Sequence, residues 1–140
     1  AGFSPDSTSF NRIAVDSKGT PYAAYTEDAL LQRASVMQFD GTNWHQVGAR
    51  GFTPSGAEVA GLAFDSADVP CIAYIHWENG NRISVMKFDG SSWVQVGAAG
   101  FSAGGAAFTS LAVDSSGTPY IAYMDGANSY KASVMRRVSA

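Results

Sequence analysis

Apolar and polar positions along this chain recur with a fixed offset of 49 residues, and that offset never slips. Ser35-Val36-Met37 returns as Ser84-Val85-Met86 and again as Ser133-Val134-Met135. Ala14-Val15-Asp16-Ser17 returns as Ala63-Phe64-Asp65-Ser66 and Ala112-Val113-Asp114-Ser115. Within the first unit, short apolar runs bounded by turn residues predict four strands, at Phe10 to Asp16, Tyr22 to Thr26, Ala34 to Phe39 and Trp44 to Val47. The first and second are separated by Asp16-Ser17-Lys18-Gly19 before Pro21, and the last two by Asp40-Gly41, both tight-hairpin signals. Side chains alternate between the two faces of a strand. Ile13 and Val15 therefore oppose Ala14, and Tyr22 and Ala24 oppose Ala23 and Tyr25, so neither face of the predicted sheet is polar. A meander that is apolar on both faces has to be covered on both, and antiparallel sheets stacked around an axis do this.

These observations predict an all-β chain of β-propeller blades, each a four-stranded antiparallel unit. The blades fall at about residues 2–50, 51–99 and 100–140 of a single repeat domain. Aligning the copies places Ala1 with Arg50 and Ala99, and Ala140 with Thr42 and Ser91. The third unit thus lacks the counterpart of Asn43 to Ala49, and its third strand runs into Arg136-Arg137-Val138-Ser139-Ala140 instead of a Phe-Asp-Gly turn. The expectation is a last blade without its fourth strand. Known propellers need at least four blades to close. Three blades leave apolar surfaces bare at both ends, so a ring completed by oligomerisation is expected, with six blades from two chains as the favoured closure.

The run Ser110-Leu111-Ala112-Val113-Asp114-Ser115-Ser116-Gly117-Thr118-Pro119-Tyr120-Ile121-Ala122-Tyr123 resembles the opening of an NHL-type propeller blade. It is also similar to the tandem propeller repeats of bacterial surface proteins and, more loosely, to tachylectin-like lectin blades. The resemblance implies a blade without specifying a ligand. It also tilts the expected location toward the cell surface or outside, whether the chain is a fragment of a longer propeller or an engineered partial one. The sialidase Asp-box is matched imperfectly, because Gly117 lies three residues after Asp114 rather than two.

Composition narrows the function classes. Net charge is −3, and no Lys or Arg run is long enough to follow a phosphate backbone, which argues against a nucleic-acid partner. No apolar run approaches the roughly 20 residues that span a bilayer, so no membrane insertion is expected. Cys71 is the single cysteine and aligns with Tyr22 and Tyr120, which points to packing rather than chemistry. His45 and His76 occupy different repeat positions, without zinc or triad spacing. The recurring Asp16, Asp65 and Asp114 are wanted in every copy as turn acceptors, so neither a metal nor another cofactor is expected.

The remaining candidates for a ligand site are Tyr25, Tyr74 and Tyr123 with Trp77, whose rings offer sugar-stacking faces, and the basic positions Arg33, Arg82 and Lys131. Core packing and solvated strand ends are the blander readings of the same residues. No catalytic residues are expected, because near-identical blades do not supply the unequal roles that catalysis needs. The leading expectation is a non-catalytic scaffold whose partner is itself, most simply as a dimer. A multivalent carbohydrate-binding module comes second, and a lactonase- or sialidase-like enzyme third.

Overall fold

The computed structural model describes residues 2–137. It consists of three antiparallel sheets laid side by side. Blade 1 contains β1 (Thr8–Val15), β2 (Pro21–Glu27), β3 (Arg33–Phe39) and β4 (Trp44–Gln46), paired in that order. Blade 2 repeats the arrangement with β5 (Ala57–Phe64), β6 (Pro70–His76), β7 (Arg82–Phe88) and β8 (Trp93–Gln95). Blade 3 has β9 (Ala106–Val113), β10 (Pro119–Asp125) and β11 (Lys131–Arg136), in the order β11-β10-β9. Its third strand is an edge among the described residues, whereas β3 and β7 are covered by β4 and β8. Of the terminal run from Arg136 to Ala140, residues 138–140 lie outside the described residues, as does Ala1. The predicted strands hold, although each first strand begins earlier than its apolar pattern, at Thr8 rather than Phe10.

The turns explain why the Asp recurs. Asp16 Oδ1 accepts the backbone N–H groups of Lys18 at 3.0 Å and Thr20 at 2.8 Å. Asp65 does the same for Ala67 and Val69, and Asp114 for Ser116 and Thr118, each bond being 2.9 Å. The left-handed residue of the turn is Gly19 in blade 1 and Gly117 in blade 3 but Asp68 in blade 2, with φ of 58°. Asp68 is held in that conformation by its neighbour: its carboxylate accepts Ser17 N at 2.8 Å and Ser17 Oγ at 2.7 Å, across to blade 1. Two bonds to a charged acceptor outweigh a left-handed cost of about 1–2 kcal/mol.

The loops joining the second and third strands keep only Ala29 with Ala127 and Asn79 with Asn128 in common, yet they share one backbone. Each forms a single 3-10 turn, at Asp28–Leu30, Trp77–Asn79 and Gly126–Asn128. Each turn is followed by two left-handed residues, Leu31-Gln32, Gly80-Asn81 and Ser129-Tyr130. Five of those six residues are not glycine, so the left-handed pair leaves no glycine signature in the sequence.

Two cores lie between the blades. Tyr22, Ala24, Val36 and Val47 of blade 1 meet Leu62, Ile72, Tyr74, Met86 and Trp93 of blade 2. On the other side of blade 2, Ala73, Ile83, Val85 and Val96 meet Ile121 and Tyr123, with Leu111 and Met135 packed against them. At the second joint, between blades 2 and 3, β5 and β9 come close enough to require glycine, whereas Arg12 holds the same repeat position at the first. A Cβ on Gly61 would stand 2.5 Å from Leu111 Cβ, well inside contact distance.

Candidate functional site

The surface that calls for explanation is the pair of outer blade faces. Their side chains are the repeat equivalents of buried ones. Val36 and Val85 are fully buried, each by the following blade, while Val134 at the same position of blade 3 is 68% exposed. Tyr120, the counterpart of buried Tyr22 and Cys71, also opens to solvent, and Phe108 on β9 is exposed. At the opposite end, Leu62 is 9% exposed where blade 2 faces blade 1, whereas its counterpart Ile13 is 72% exposed, with Val15 beside it. Blade 3 therefore presents one half of the inter-blade contact, and blade 1 presents the other half.

Between consecutive blades the connecting segment acts as a strap. At the first joint, Gly51 N donates to Ser35 Oγ at 2.9 Å and Phe52 N to Ala34 O at 3.0 Å. Ala34 N in turn donates to Thr53 Oγ1 at 3.0 Å, and Ala57 N donates to Gln32 O at 3.0 Å. The second joint repeats all four bonds with Gly100, Phe101, Ser102 and Ala106 against Ser84, Ile83 and Asn81, between 2.8 and 3.1 Å. Phe52 then stacks on Trp93 with ring centroids 4.5 Å apart and 9° between planes, and Trp93 Nε1 donates to Val47 O at 2.8 Å. Phe3 stacks on Trp44 in the same way, at 4.1 Å and 14°. Phe101 meets the guanidinium of Arg137, 4.8 Å from its ring centroid, a cation–π contact.

The strap also carries charge. Arg50 reaches the fully buried Glu27 carboxylate, which Ser35 Oγ also contacts. Burial pushes the Glu27 carboxyl upward, but the hydrogen bonds from Arg50 and Ser35 overcome this and hold it below the usual carboxylate range.

The tyrosines proposed for sugar stacking are not available for it. Tyr25, Tyr74 and Tyr123 are all buried, so their rings belong to the packing between and beneath the blades and present no open face. Alternation along the second strand points them toward the preceding blade or strap, which is the core-packing reading of these positions. Phe3 meets Tyr25 edge-on at 6.3 Å, and Tyr74 OH donates to Gln95 Oε1 at 3.3 Å. Burial and the neighbouring Glu27 push the Tyr25 hydroxyl up to about 12, against a lowering by Arg50.

Trp77 stays 40% exposed as the first residue of its 3-10 turn, with an edge contact to Phe10 at 6.0 Å. Its counterparts are Asp28 and Gly126, so it does not recur. Arg33, Arg82 and Lys131 open the third strand of each blade, opposite Glu27, His76 and Asp125. They share one rim, but the buried tyrosines contribute no ring to it.

The histidines have local partners. His45 Nε2 lies 2.5 Å from Asp40 Oδ2, and His76 Nε2 lies 2.7 Å from Ser55 Oγ. Backbone N–H groups of Asn43 and Thr42, with His45, bring the Asp40 carboxyl down to about 2. Among the described residues no group of three or more His, Cys, Asp or Glu side chains is placed to hold a metal.

Sequence reasoning missed the strap. Its signal was the recurrence Gly2-Phe3-Ser4, Gly51-Phe52-Thr53, Gly100-Phe101-Ser102, set among small residues.

The chain matches no protein-family model and no curated protein. Among solved structures it is similar to an endo-1,4-beta-xylanase from Bacteroides thetaiotaomicron, at 14% identity and a TM-score of 0.53. The match takes in all of this chain and 64% of that one, so the chain spans less than two-thirds of that protein's length. At this identity the likeness concerns the fold alone.

Proposed function

We propose that this chain is a non-catalytic propeller scaffold that associates head to tail with copies of itself, most simply as six blades from two chains. The observation that carries the reading is the contrast between Val36 or Val85, fully buried, and Val134, 68% exposed, at one repeat position. Blade 3 ends on a surface whose equivalents are covered elsewhere in the same molecule, and blade 1 begins with the surface that covers them. Burying one valine contributes about 1.5–3 kcal/mol. A patch that includes Phe108, Tyr120 and Val134 therefore gives ample drive for association. Such contacts join unlike faces, so they close into a ring if the rotation permits and otherwise extend as a fibre.

Sedimentation across a concentration series tests the reading. The expected particle has twice the 14.7 kDa chain mass. A particle of one chain mass at high micromolar concentration refutes it, and a mass that grows without limit replaces the ring with a fibre.

A carbohydrate-binding surface is the second reading, favoured only by the exposed indole of Trp77. It becomes a single site rather than a multivalent one. An empty glycan array, or binding that survives Trp77→Ala, removes it.

A further inference from the structure

Resting on the head-to-tail reading, we infer that Gly2–Thr8 is a pre-shaped clamp for the exposed edge of β11 in a second copy of this chain. Its internal geometry already matches the two working straps. Ser4 Oγ donates to Asp6 O at 2.9 Å, as Thr53 Oγ1 donates to Ser55 O at 3.0 Å and Ser102 Oγ to Gly104 O at 2.8 Å. Asp28 N donates to Ser7 O at 3.1 Å, as Trp77 N does to Gly56 O at 3.4 Å and Gly126 N to Gly105 O at 2.9 Å. Phe3 is seated on Trp44 as Phe52 is on Trp93.

The gripping groups of this first strap have nothing to grip. Gly2 N and Phe3 N have no acceptor among the described residues, and Ser4 Oγ, having committed its proton to Asp6, has no donor there. The equivalents of the gripped groups on blade 3 likewise have no strap partner among the described residues. Ala132 corresponds to Ala34 and Ile83, whose N–H and C=O point off the strand edge into the strap. Ser133 Oγ donates to Asp125 Oδ2 at 2.9 Å, as Ser35 Oγ contacts Glu27, which leaves a lone pair for an incoming N–H.

Carrying the two internal joints over to the seam between copies gives four bonds. Gly2 N donates to Ser133 Oγ, Phe3 N to Ala132 O, Ala132 N to Ser4 Oγ, and Thr8 N to Tyr130 O. Matching groups of opposite kind, in a register used twice within the chain, select a second copy as the occupant. The clamp thus sets which residues meet, while the apolar faces supply the drive.

The test compares Ser4→Val with the isosteric Ser4→Thr, which restores the hydroxyl that Thr53 uses at the first joint, and adds Ala132→Pro, which removes the matching N–H. Dissociation of the assembled chain is followed by sedimentation, with a dilute thermal melt confirming that each variant folds. Ser4→Thr is expected to assemble like the parent. Ser4→Val weakens each seam about tenfold by stranding a buried N–H. A closed ring of two chains has two seams, so its dissociation constant rises about a hundredfold. Ala132→Pro weakens assembly as well, and adding Ser4→Val to it has little further effect.

If Ser4→Val assembles as well as Ser4→Thr, or if Ser4→Val and Ala132→Pro act independently, the clamp is overturned while self-association stands. A parent that never associates overturns both.

Discussion

Val36, Val85 and Val134 are the same residue at the same place in three blades, and they turn the exposure contrast into a measurement. Replacing each with alanine removes two methyl groups. At Val36 and Val85, both fully buried, the lost burial at ~0.8 kcal/mol per carbon plus the cavity left behind amounts to about 2–3 kcal/mol. For a chain of this size that lowers Tm by roughly 8–12 °C. Val134 is 68% exposed, so in dilute solution Val134→Ala should fall within about 0.5 kcal/mol of the parent. As concentration rises into the assembled range, the Val134→Ala penalty should grow toward that of the interior pair, because the covering blade is then present. Urea denaturation of the three variants at low and high concentration reads this directly. The reasoning is refuted if Val134→Ala costs as much as Val36→Ala in dilute solution, or if its effect is the same at every concentration.

Gly61→Ala should destabilise by about 1–3 kcal/mol, because its methyl meets Leu111 Cβ at 2.5 Å, and pairing it with Leu111→Ala should fail to add the two costs, as a double-mutant cycle will show. Glu27 has a folded pKa below its unfolded one. Its contribution is therefore complete near neutral pH and is lost as pH falls through the ordinary carboxylate range and then its own depressed value; urea midpoints from pH 7 down to 3 should drop more steeply for the parent than for Glu27→Gln. Burial, with Asp65 nearby, pushes the Cys71 thiol up to about 11, so a thiol reagent at pH 7.5 should label the native chain only at the rate at which it opens, and fast labelling would contradict the buried placement.

Strand order and blade count were legible because a repeat multiplies each local signal by three. A hairpin inferred from Asp16-Ser17-Lys18-Gly19 is supported by Asp114-Ser115-Ser116-Gly117. The burial of Tyr25, Tyr74 and Tyr123 was only half legible. Alternation tells which face a ring takes but not whether another blade lies against that face.

Asp68 shows a different limit. Nothing in its own copy accounts for a non-glycine residue where Gly19 and Gly117 stand, since its support comes from Ser17 in the neighbouring blade. The strap was hidden for the same reason, as its partners lie in β3 and β7 of the preceding sheets. Arg137 occupies the place of Phe39 and Phe88, and only the fold reveals that it still covers an aromatic ring.

The three rim loops separate shape from content. Each keeps one helical turn and a left-handed pair while most of its side chains differ from copy to copy. Because that backbone is shared, the exposed side chains Leu31, Trp77 and Tyr130 can diverge from blade to blade on one settled loop geometry.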